Sequence, residues 1–276
     1  MRWALGVEYD GTAFAGFQRQ AHHDAPTVQG SLEAALSSIA DHPLQLVCAG
    51  RTDAGVHACA QVVHFDCDAP RGEQAWRSGG NSLTPDGISV LWARPVADDF
   101  HARFSARWRR YLYLLRQPGP PSALLDGRVT NWRRPIDADR MRAAADALLG
   151  EQDFTSFRAA GCQARHGIRE VLSVAVLEQG PFVGFEIRAN AFVQHMVRNI
   201  VGSLLAVGTG AREPEWIGHL IAERDRTRAA ATAPPQGLYL TGVGYDPEHD
   251  LPSAERAPGL PYGLLQGGIE TRGDGS

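Results

Sequence analysis

The sequence predicts an α+β fold made of two consecutive halves, each with the element order β-α-β-β-α-β of a split βαβ unit and a mainly antiparallel sheet. Some segments alternate apolar and polar residues between turn residues, which favours strands, while others carry apolar residues at helical spacing. This order of segments occurs twice in the 276 residues. We expect an N-terminal half at 1–105, a C-terminal half at 106–248, and a flexible Gly/Pro-rich tail at 249–276.

The first half begins with an alternating strand, followed by a helix for which Thr27 is the candidate N-cap. Val28, Leu32 and Leu36 recur in that helix at the spacing of one buried face. The predicted elements, in chain order, are a strand at 3–9, a helix at 27–40, strands at 44–49 and 61–66, a weaker helix at 73–83 and a strand at 88–93.

The second half repeats this order and adds one helix. Its first helix has Asp137 as the candidate N-cap and Gly150 as the stop signal. The predicted elements are a strand at 109–115, a helix at 137–150, a strand pair at 169–178 and 182–190, a helix at 191–208, the extra helix at 213–226 and a strand at 237–245.

Charge is distributed unevenly along the chain. The formal net charge is −4, and all 27 basic residues are arginine. Because there is no lysine, Schiff-base and P-loop chemistry are excluded. Five arginines and no acid lie between His101 and Arg116, whereas acids collect near the C-terminus. A locally basic surface of this kind can attract a phosphate backbone even on an acidic protein.

The sequence favours a cytoplasmic protein without a membrane segment. Glu8 and Asp10 interrupt the stretch where a signal peptide needs an apolar core, and no apolar run approaches membrane-spanning length. The cysteines, at positions 48, 59, 67 and 162, are scattered and do not suggest a disulfide framework. We therefore expect a reducing compartment.

The loop "CAGRTDAGVHA" at 48–58 is the candidate reactive centre. It places Arg51 and Asp53 side by side between Gly50 and Gly55. A neighbouring cation favours the ionised form of a carboxyl group, which suits a nucleophile or a base. Asp and Gly are also ordinary turn residues, and on spacing alone a turn beside a solvated arginine is the commoner explanation.

The helix near residues 192–207 has one clean apolar stripe. Its opposite side carries His195, Arg198, Asn199 and Gly202, and such a side is usually solvated. If the helix instead lines a cleft between the two halves, Arg198 would pair with an acid on the opposing loop. A planar, bidentate pair would then orient Asp53 as well as favour its charge.

The segment "RWRRYLYLL" combines arginine and tyrosine in one strand. Alternate residues share a face, so Arg109, Tyr111 and Tyr113 point one way, and Leu112 and Leu114 point the other. Several RNA-binding modules stack bases on a sheet face of this composition. A half-buried face whose aromatics are covered by arginine stems explains the pattern equally well.

Neither a metal site nor a nucleotide cofactor is predicted. The "HHD" at 22–24 lies in a polar connection, and Cys59 and His64 would fall on opposite faces of a strand that ends before Cys67. Structural zinc sites use tighter ligand pairs. The glycines form no dinucleotide-binding or Walker pattern.

Taken together, the motifs of this chain resemble those of the TruA family of tRNA pseudouridine synthases. The resemblance extends to about residue 246 and leaves out the tail. The motifs, in order, are "GVEYDGTAFAGFQRQ", "VQGSLEAAL", "AGRTDAGVHA", "QVVHF", "DDFHARFSA", "RRYLY", "DFTSFR", "ANAFVQHMVRNIVGSLLAVG" and "GLYL".

The resemblance implies isomerisation of uridine to pseudouridine at nucleotides 38, 39 and 40 in the anticodon stem-loop of tRNA, without any cofactor or metal. It makes Asp53 the catalytic carboxylate, acting either on C1′ or on a ribose proton. It assigns extrusion of the target nucleotide to Arg51. Tyr111 would cover the uracil, with its hydroxyl a candidate acceptor of the C5 proton, and Arg198 would pair with Asp53.

The resemblance also implies where the substrate and a second subunit bind. It places Phe100, His101, Arg103 and Arg165 in segments that contact tRNA. It further implies a homodimer whose tRNA spans both subunits, with the RNA held in a central cleft between the two halves.

Two other functions are compatible with parts of the sequence. A non-catalytic RNA-binding protein with two RRM-like, or ferredoxin-like, halves would explain the arginines and tyrosines. It gives no reason for Asp53, because a carboxylate that faces phosphates weakens binding. A metal-dependent hydrolase using His, Cys and Asp is disfavoured by the ligand spacing.

Overall fold

The structure is a computed structural model that describes residues 1–19, 25–252 and 255–258. Within these residues the chain forms a mixed α+β fold around one large, mostly antiparallel sheet of ten strands. The prediction of an α+β fold with mainly antiparallel strands is therefore confirmed. None of the helices in the described parts of the chain is long and apolar enough to cross a membrane.

The elements are numbered in chain order. The strands are β1 Arg2–Tyr9, β2 Val47–Cys48, β3 His57–Asp66, β4 Ile88–Val96, β5 Trp108–Arg116, β6 Thr130–Asn131, β7 Gly150–Asp153, β8 Ile168–Gln179, β9 Phe182–Ala189 and β10 Leu238–Gly244. The helices are α1 Val28–Ala40, α2 Gly80–Leu83, α3 Ala138–Ala145, α4 Met196–Gly208 and α5 Trp216–Glu223.

The last strand of the chain joins the two groups of strands. The sheet order is β4-β1-β3-β10-β5-β9-β8-β7, with β2 beside β3 and β6 beside β5. Leu240 of β10 lies opposite Ala58 of β3 on one side and opposite Tyr111 of β5 on the other. The loop that precedes β3 is therefore brought close to Tyr111, although the two are far apart in sequence.

The predicted helix N-caps are confirmed. The Thr27 hydroxyl accepts a hydrogen bond from the Gly30 N–H, and the Asp137 carboxylate accepts one from the Arg140 N–H. These side chains satisfy backbone donors that the first turn of a helix leaves free. The predicted stop at Gly150 is not where the helix ends: α3 ends at Ala145, a 3-10 turn follows at Asp146–Leu148, and Gly150, with a φ of 88°, is the first residue of β7.

Two predicted elements differ from those observed. The strand expected at 44–49 contains only Val47 and Cys48, because the backbone N–H groups of Leu44 and Leu46 bond to side chains of α1 rather than to a strand. The helix expected at 73–83 consists of a π-helical turn, Ala75–Gly79, followed by α2. The short strands β6 and β7 were not predicted.

Two further predictions fall mainly on residues outside the described ranges. The "HHD" segment at 22–24 lies there entirely, as does most of the tail predicted at 249–276. Where the tail is described, Glu255 forms an isolated antiparallel bridge with Gly242, and the Arg256 N–H donates to the Thr241 carbonyl. This part of the tail lies along β10.

Candidate active site

Buried hydrogen bonds hold the loop that carries Asp53 in place. The Gln61 side chain is fully buried, accepts from the Gly50 N–H at 3.3 Å and donates to the Gly50 carbonyl at 2.6 Å. The Thr52 hydroxyl bonds the Tyr9 hydroxyl at 2.8 Å, and the Thr52 carbonyl accepts from the Phe17 N–H. The loop therefore presents the side chains of Arg51 and Asp53 from a rigid base.

Gly55 allows the loop to turn tightly beside Pro235. Its φ is +75°, and a Cβ at this position would lie 3.2 Å from the Pro235 side chain. The Val56 N–H closes the turn by donating to the Asp53 carbonyl. The positive φ therefore favours glycine at this position, and the close contact with Pro235 adds to the preference.

The Asp53 carboxylate pairs with Arg198 of α4. Arg198 Nη1 donates to Asp53 Oδ2 at 2.8 Å, and the two side chains are 14% and 31% exposed. The predicted bidentate geometry is wrong: Arg198 Nε donates instead to the Ala233 carbonyl at 2.9 Å. Because that donor is already used, the guanidinium binds the carboxylate through a single nitrogen.

The expected pairing of Asp53 with its neighbour Arg51 does not occur in the structure. Arg51 is exposed and forms no salt bridge within the described residues. The charges beside Asp53 come instead from the N-terminal end of α4, about 145 residues away in sequence. Arg51 is left available to a ligand.

His195 is a second neighbour of Asp53 that the sequence analysis did not identify as a site residue. Its Nε2 lies 3.4 Å from Asp53 Oδ2, the same oxygen that Arg198 binds. The sequence predicts His195 on the polar side of the helix, three residues before Arg198, and that spacing was the available signal. In the structure the helix begins one residue later, at Met196.

The apolar stripe of α4 is buried as predicted, but the opposite side is not solvated. Asn199 is 1% exposed, and its Oδ1 accepts hydrogen bonds from Arg226 and Thr232. A Cβ on Gly202 would lie 2.0 Å from the Ala231 carbonyl oxygen. The segment at 229–236 therefore covers this side of the helix, and it also supplies the Ala233 carbonyl that holds Arg198.

Tyr111 of β5 borders the same loop. Its ring packs edge-on against Phe192 at 5.0 Å, and a Cβ on Gly50 would lie 3.5 Å from its hydroxyl oxygen. Burial raises the pKa of the Tyr111 hydroxyl, and the charge of Asp53 adds to the rise. The phenol is therefore protonated near neutral pH, and a phenolate base at this position is disfavoured.

The other members of the predicted arginine–tyrosine face are structural. Arg109 is buried, and its guanidinium donates to backbone carbonyls, including those of Ala49 and Arg103. The Tyr113 hydroxyl bonds to Thr130 and to the Pro234 carbonyl, both at 2.7 Å. Arg109 and Tyr113 are therefore not part of an open platform for stacking bases.

The predicted tRNA-contact residues have different surroundings. Phe100 is fully buried against Tyr245 and His249, so its side chain has no surface to offer to RNA, and the expectation of a direct contact is wrong. Arg103 and Arg165 are exposed, and His101 is half-buried.

Phe104, which was not among the predicted residues, is 76% exposed. Its ring stacks on His101 at 4.3 Å, and the Arg103 guanidinium lies 5.6 Å from its centre. The exposed aromatic ring in an arginine-rich segment was the signal that sequence reasoning could have used.

The described residues contain no group of three or more His, Cys, Asp or Glu side chains that could hold a metal ion. Cys59 belongs to a small apolar cluster with Leu112 and Tyr239, apart from His64. The site is therefore assembled from a carboxylate, Arg198 of α4, the histidine just before α4, an exposed arginine and a buried tyrosine.

Comparison with known proteins identifies relatives along most of the chain. The family profile described as tRNA pseudouridine synthase matches residues 6–105 and 144–246. The tRNA pseudouridine synthase A of Xanthomonas euvesicatoria pv. vesicatoria (strain 85-10) is 55% identical over 253 residues, which are 92% of this chain and 98% of the relative. That of Shewanella sp. (strain MR-4) is 54% identical over 258 residues, which are 94% and 98% of the two chains.

Among solved structures, a Cbf5-Nop10-Gar1 complex matches at a TM-score of 0.38 with 16% identity, over 87% of this chain and 49% of that one, which is too weak to support any conclusion. The family profile and the sequence relatives agree with the motif order read from the sequence. The chain therefore belongs to the tRNA pseudouridine synthase family.

Proposed function

We propose that this enzyme isomerises uridine to pseudouridine at nucleotides 38, 39 and 40 in the anticodon stem-loop of tRNA, with Asp53 as the catalytic carboxylate. The observation that carries the proposal is the 2.8 Å pair between Asp53 Oδ2 and Arg198 Nη1. This pair holds the Asp53 carboxylate on a rigid loop beside the Arg198 guanidinium. The chain also belongs to a family of isomerases. The relatives cited above are named for action on tRNA, and none of their names specifies a nucleotide.

The isomerisation exchanges one bond for another. The N1–C1′ bond breaks, the uracil turns, the C5–C1′ bond forms, C5 loses a proton and N1 gains one, without net oxidation or reduction. Asp53 acts at the ribose, either by attack on C1′ or by removal of a ribose proton. Its ion pair with Arg198 keeps the carboxylate charged and limits its orientations.

Arg51 and Tyr111 are suited to handle the target nucleotide. A base inside a stem cannot be reached until it is swung out of the stack. Arg51 is exposed and forms no salt bridge within the described residues, so it can enter the position that the base leaves. The Tyr111 hydroxyl reaches Gly50 of the Asp53 loop, so we place its ring against the uracil once the base has entered the site.

An arginine-rich surface beside the catalytic loop supports the proposed RNA contact. His101 and Arg103 lie in a loop whose Arg103 carbonyl accepts from Arg109, which also binds the Ala49 carbonyl. The tRNA-contact loop and the catalytic loop are thereby tied to one buried guanidinium. We include the exposed Phe104 in this surface as a stacking partner for an unpaired base, and we place Arg165 at a phosphate.

The proposal extends to the organisation of the enzyme. The strand orders β4-β1-β3-β2 and β10-β5-β9-β8 support two split βαβ halves, at 1–105 and 106–248, that flank an RNA-binding cleft. We further propose that the enzyme is cytoplasmic and acts as a homodimer. Light scattering of the purified chain should then give about twice 29.9 kDa, and a single-chain mass would remove the dimer from the proposal.

The test is release of tritium from tRNA that carries the label at uracil C5. We expect the native enzyme to release label from nucleotides 38 to 40, and we expect transcripts with cytidine at all three positions to release none. Asp53→Asn keeps the size of the side chain but removes its charge. The variant enzyme should therefore still bind tRNA but release no label.

Three outcomes would contradict the proposal. Release that persists in Asp53→Asn would remove Asp53 as the catalytic group. Release that persists in the cytidine transcripts would move the target to another part of the tRNA. Tight tRNA binding by the native chain without any release would favour a non-catalytic RNA-binding protein.

A further inference from the structure

His195 lies in a left-handed backbone conformation immediately before α4. Its φ is +63° and its ψ is 4°. Apart from glycine, this region is occupied most often by Asn, Asp and His. The side chain does not cap the helix, which is the ordinary role at this position. The backbone conformation and the helix cap therefore do not explain why a histidine, rather than an asparagine or aspartate, is found here.

The turn around His195 is firmly held by its neighbours. The Met196 N–H donates to the Val193 carbonyl, and the Asn199 N–H donates to the His195 carbonyl. The Gln194 carbonyl accepts from Ala159. These bonds fix the direction in which the His195 side chain leaves the backbone.

The His195 ring and Arg198 approach the same oxygen of Asp53. The distances to Oδ2 are 3.4 Å from His195 Nε2 and 2.8 Å from Arg198 Nη1. Asp53 Oδ1 makes no hydrogen bond to any residue that the structure describes. His195 is also 32% exposed, so its ring lies at the open side of the site.

A single contact would leave the carboxylate free to turn. The bond between Cβ and Cγ of an aspartate has a broad, roughly two-fold rotation profile, so one donor on one oxygen fixes the plane of the group poorly. A second group at the same oxygen, from a different direction, restricts that rotation. With a proton on Nε2, the imidazole can serve as this donor in its neutral and its charged form.

We propose that His195 is a positioning residue that, with Arg198, holds Asp53 Oδ2 so that Oδ1 is the oxygen presented to the target nucleotide. This inference rests on the proposed function, in which Asp53 is the catalytic carboxylate. It divides the carboxylate into an anchored oxygen and a reactive one. Such restriction of a reacting group to one orientation raises the rate of the chemical step rather than the affinity for substrate.

Two substitutions at His195 separate positioning from a role in the turn. In His195→Gln, the amide nitrogen reaches about as far as Nε2, so it can approach Oδ2 as the ring does. In His195→Asn, the amide is too short, although asparagine suits the left-handed conformation better. At saturating tRNA we expect the Gln variant to keep turnover within about threefold of native. The Asn variant should lose about tenfold or more, with little change in KM.

A purely structural role predicts the opposite order. The Asn variant would then match the native enzyme and the Gln variant would be impaired, which would overturn the inference. His195→Gly removes the ring without backbone strain and should fold normally but lose turnover as the Asn variant does. Asp41→Gly is the matched control, because Asp41 has a similar φ of 61° away from the site. It should melt at the native temperature or above and keep native turnover.

The Asp53 and His195 variants together distinguish a failure of the positioning role from a failure of the proposed function. If Asp53→Asn is inactive but the Gln, Asn and Gly variants of His195 all turn over like the native enzyme, only the positioning role is wrong. If Asp53→Asn remains active, the proposed function is wrong, and the assignment of Oδ1 falls with it.

Discussion

Two tyrosines on one face of β5 differ in how their hydroxyl groups are used. Tyr111 and Tyr113 lie two residues apart and point the same way, into the main core. The Tyr113 hydroxyl has two hydrogen bonds, to Thr130 and Pro234. The Tyr111 hydroxyl has none to the residues that the structure describes, and it faces Gly50 and the Asp53 loop. The Tyr111 hydroxyl is therefore free to bond a ligand, whereas the Tyr113 hydroxyl is already used by the protein.

The same contrast separates two arginines of similar burial. The Arg198 side chain is 14% exposed and points toward Asp53, whereas that of Arg110 is 13% exposed and lies beside Glu186 and Glu255. Burial raises the pKa of Glu186, so its pairing with Arg110 offsets a cost of folding. Burial alone therefore does not identify a functional arginine; the surroundings of its partner do.

The largest effect is expected for Arg198→Ala. It should lower turnover at saturating tRNA by roughly 100-fold, which corresponds to about 2.7 kcal/mol of activation free energy, because Asp53 loses its hydrogen-bonded cation. Arg110→Ala is the matched control, since it removes an equally buried guanidinium. The control should keep turnover within about threefold of native and lower the melting temperature. The measurement is tritium release in single-turnover conditions.

The contrast between the arginines would fail in either of two cases. An Arg198→Ala defect that disappears at saturating tRNA would make Arg198 a binding residue only. A comparable loss of turnover in Arg110→Ala would mean that both variants act through the stability of the sheet.

Substitutions of the two tyrosines should give smaller effects. We expect Tyr113→Phe to lower stability and Tyr111→Phe to lower turnover. Tyr113→Phe leaves Thr130 and the Pro234 carbonyl short of a partner and should lower the free energy of unfolding by about 1–3 kcal/mol. Tyr111→Phe removes a hydroxyl that bonds to none of the residues at 1–19, 25–252 and 255–258, so stability should be unchanged. Its turnover should fall by less than about tenfold, since the raised pKa disfavours a role as a base.

Thermal melting and single-turnover kinetics would measure both variants. A loss near 100-fold or more in Tyr111→Phe would assign the C5 proton to this hydroxyl, despite its raised pKa. Equal destabilisation by the two substitutions would mean that the Tyr111 and Tyr113 hydroxyls do not differ in their contribution to stability.

The smallest effect is expected at the surface, where Phe104 and Leu124 allow the same comparison. They are 76% and 84% exposed, but only Phe104 is an aromatic ring stacked on His101 beside an arginine. Phe104→Ala should raise KM for tRNA by about fivefold, which corresponds to about 1 kcal/mol, the lower end of what base stacking contributes. Leu124→Ala should leave KM unchanged. Equal effects would mean that exposure, rather than the aromatic ring, governs RNA contact.

The sequence was most informative where the chemistry is local. Thr27 and Asp137 were recognised as helix caps because capping involves residues three apart in the chain. The strand at 44–49 was overestimated, because its apolar alternation is the same whether Leu44 and Leu46 pair with a strand or pack on α1. Periodicity reports which residues are buried, but not where their backbone hydrogen bonds go.

The candidate site shows the same division. The motif order indicated Asp53, Arg51, Tyr111 and Arg198, and the structure brings Asp53, Tyr111 and Arg198 together around one loop. The motif order did not indicate that Phe100 is buried or that Phe104 is exposed, since two phenylalanines in one arginine-rich segment look alike in sequence. The direction of each side chain depends on tertiary packing of that loop.

By itself, the sequence determined the residue types of the site, the caps and periodicity of its helices, and the family to which the chain belongs. The motif resemblance also implied the pairing of Asp53 with Arg198, but only the tertiary structure decided that this pairing uses a single nitrogen and that His195 approaches the same oxygen. The physical reason is that β10 lies between β3 and β5, and the segment after α5 covers α4. Contacts of this kind join residues more than a hundred positions apart, and short-range patterns cannot encode them.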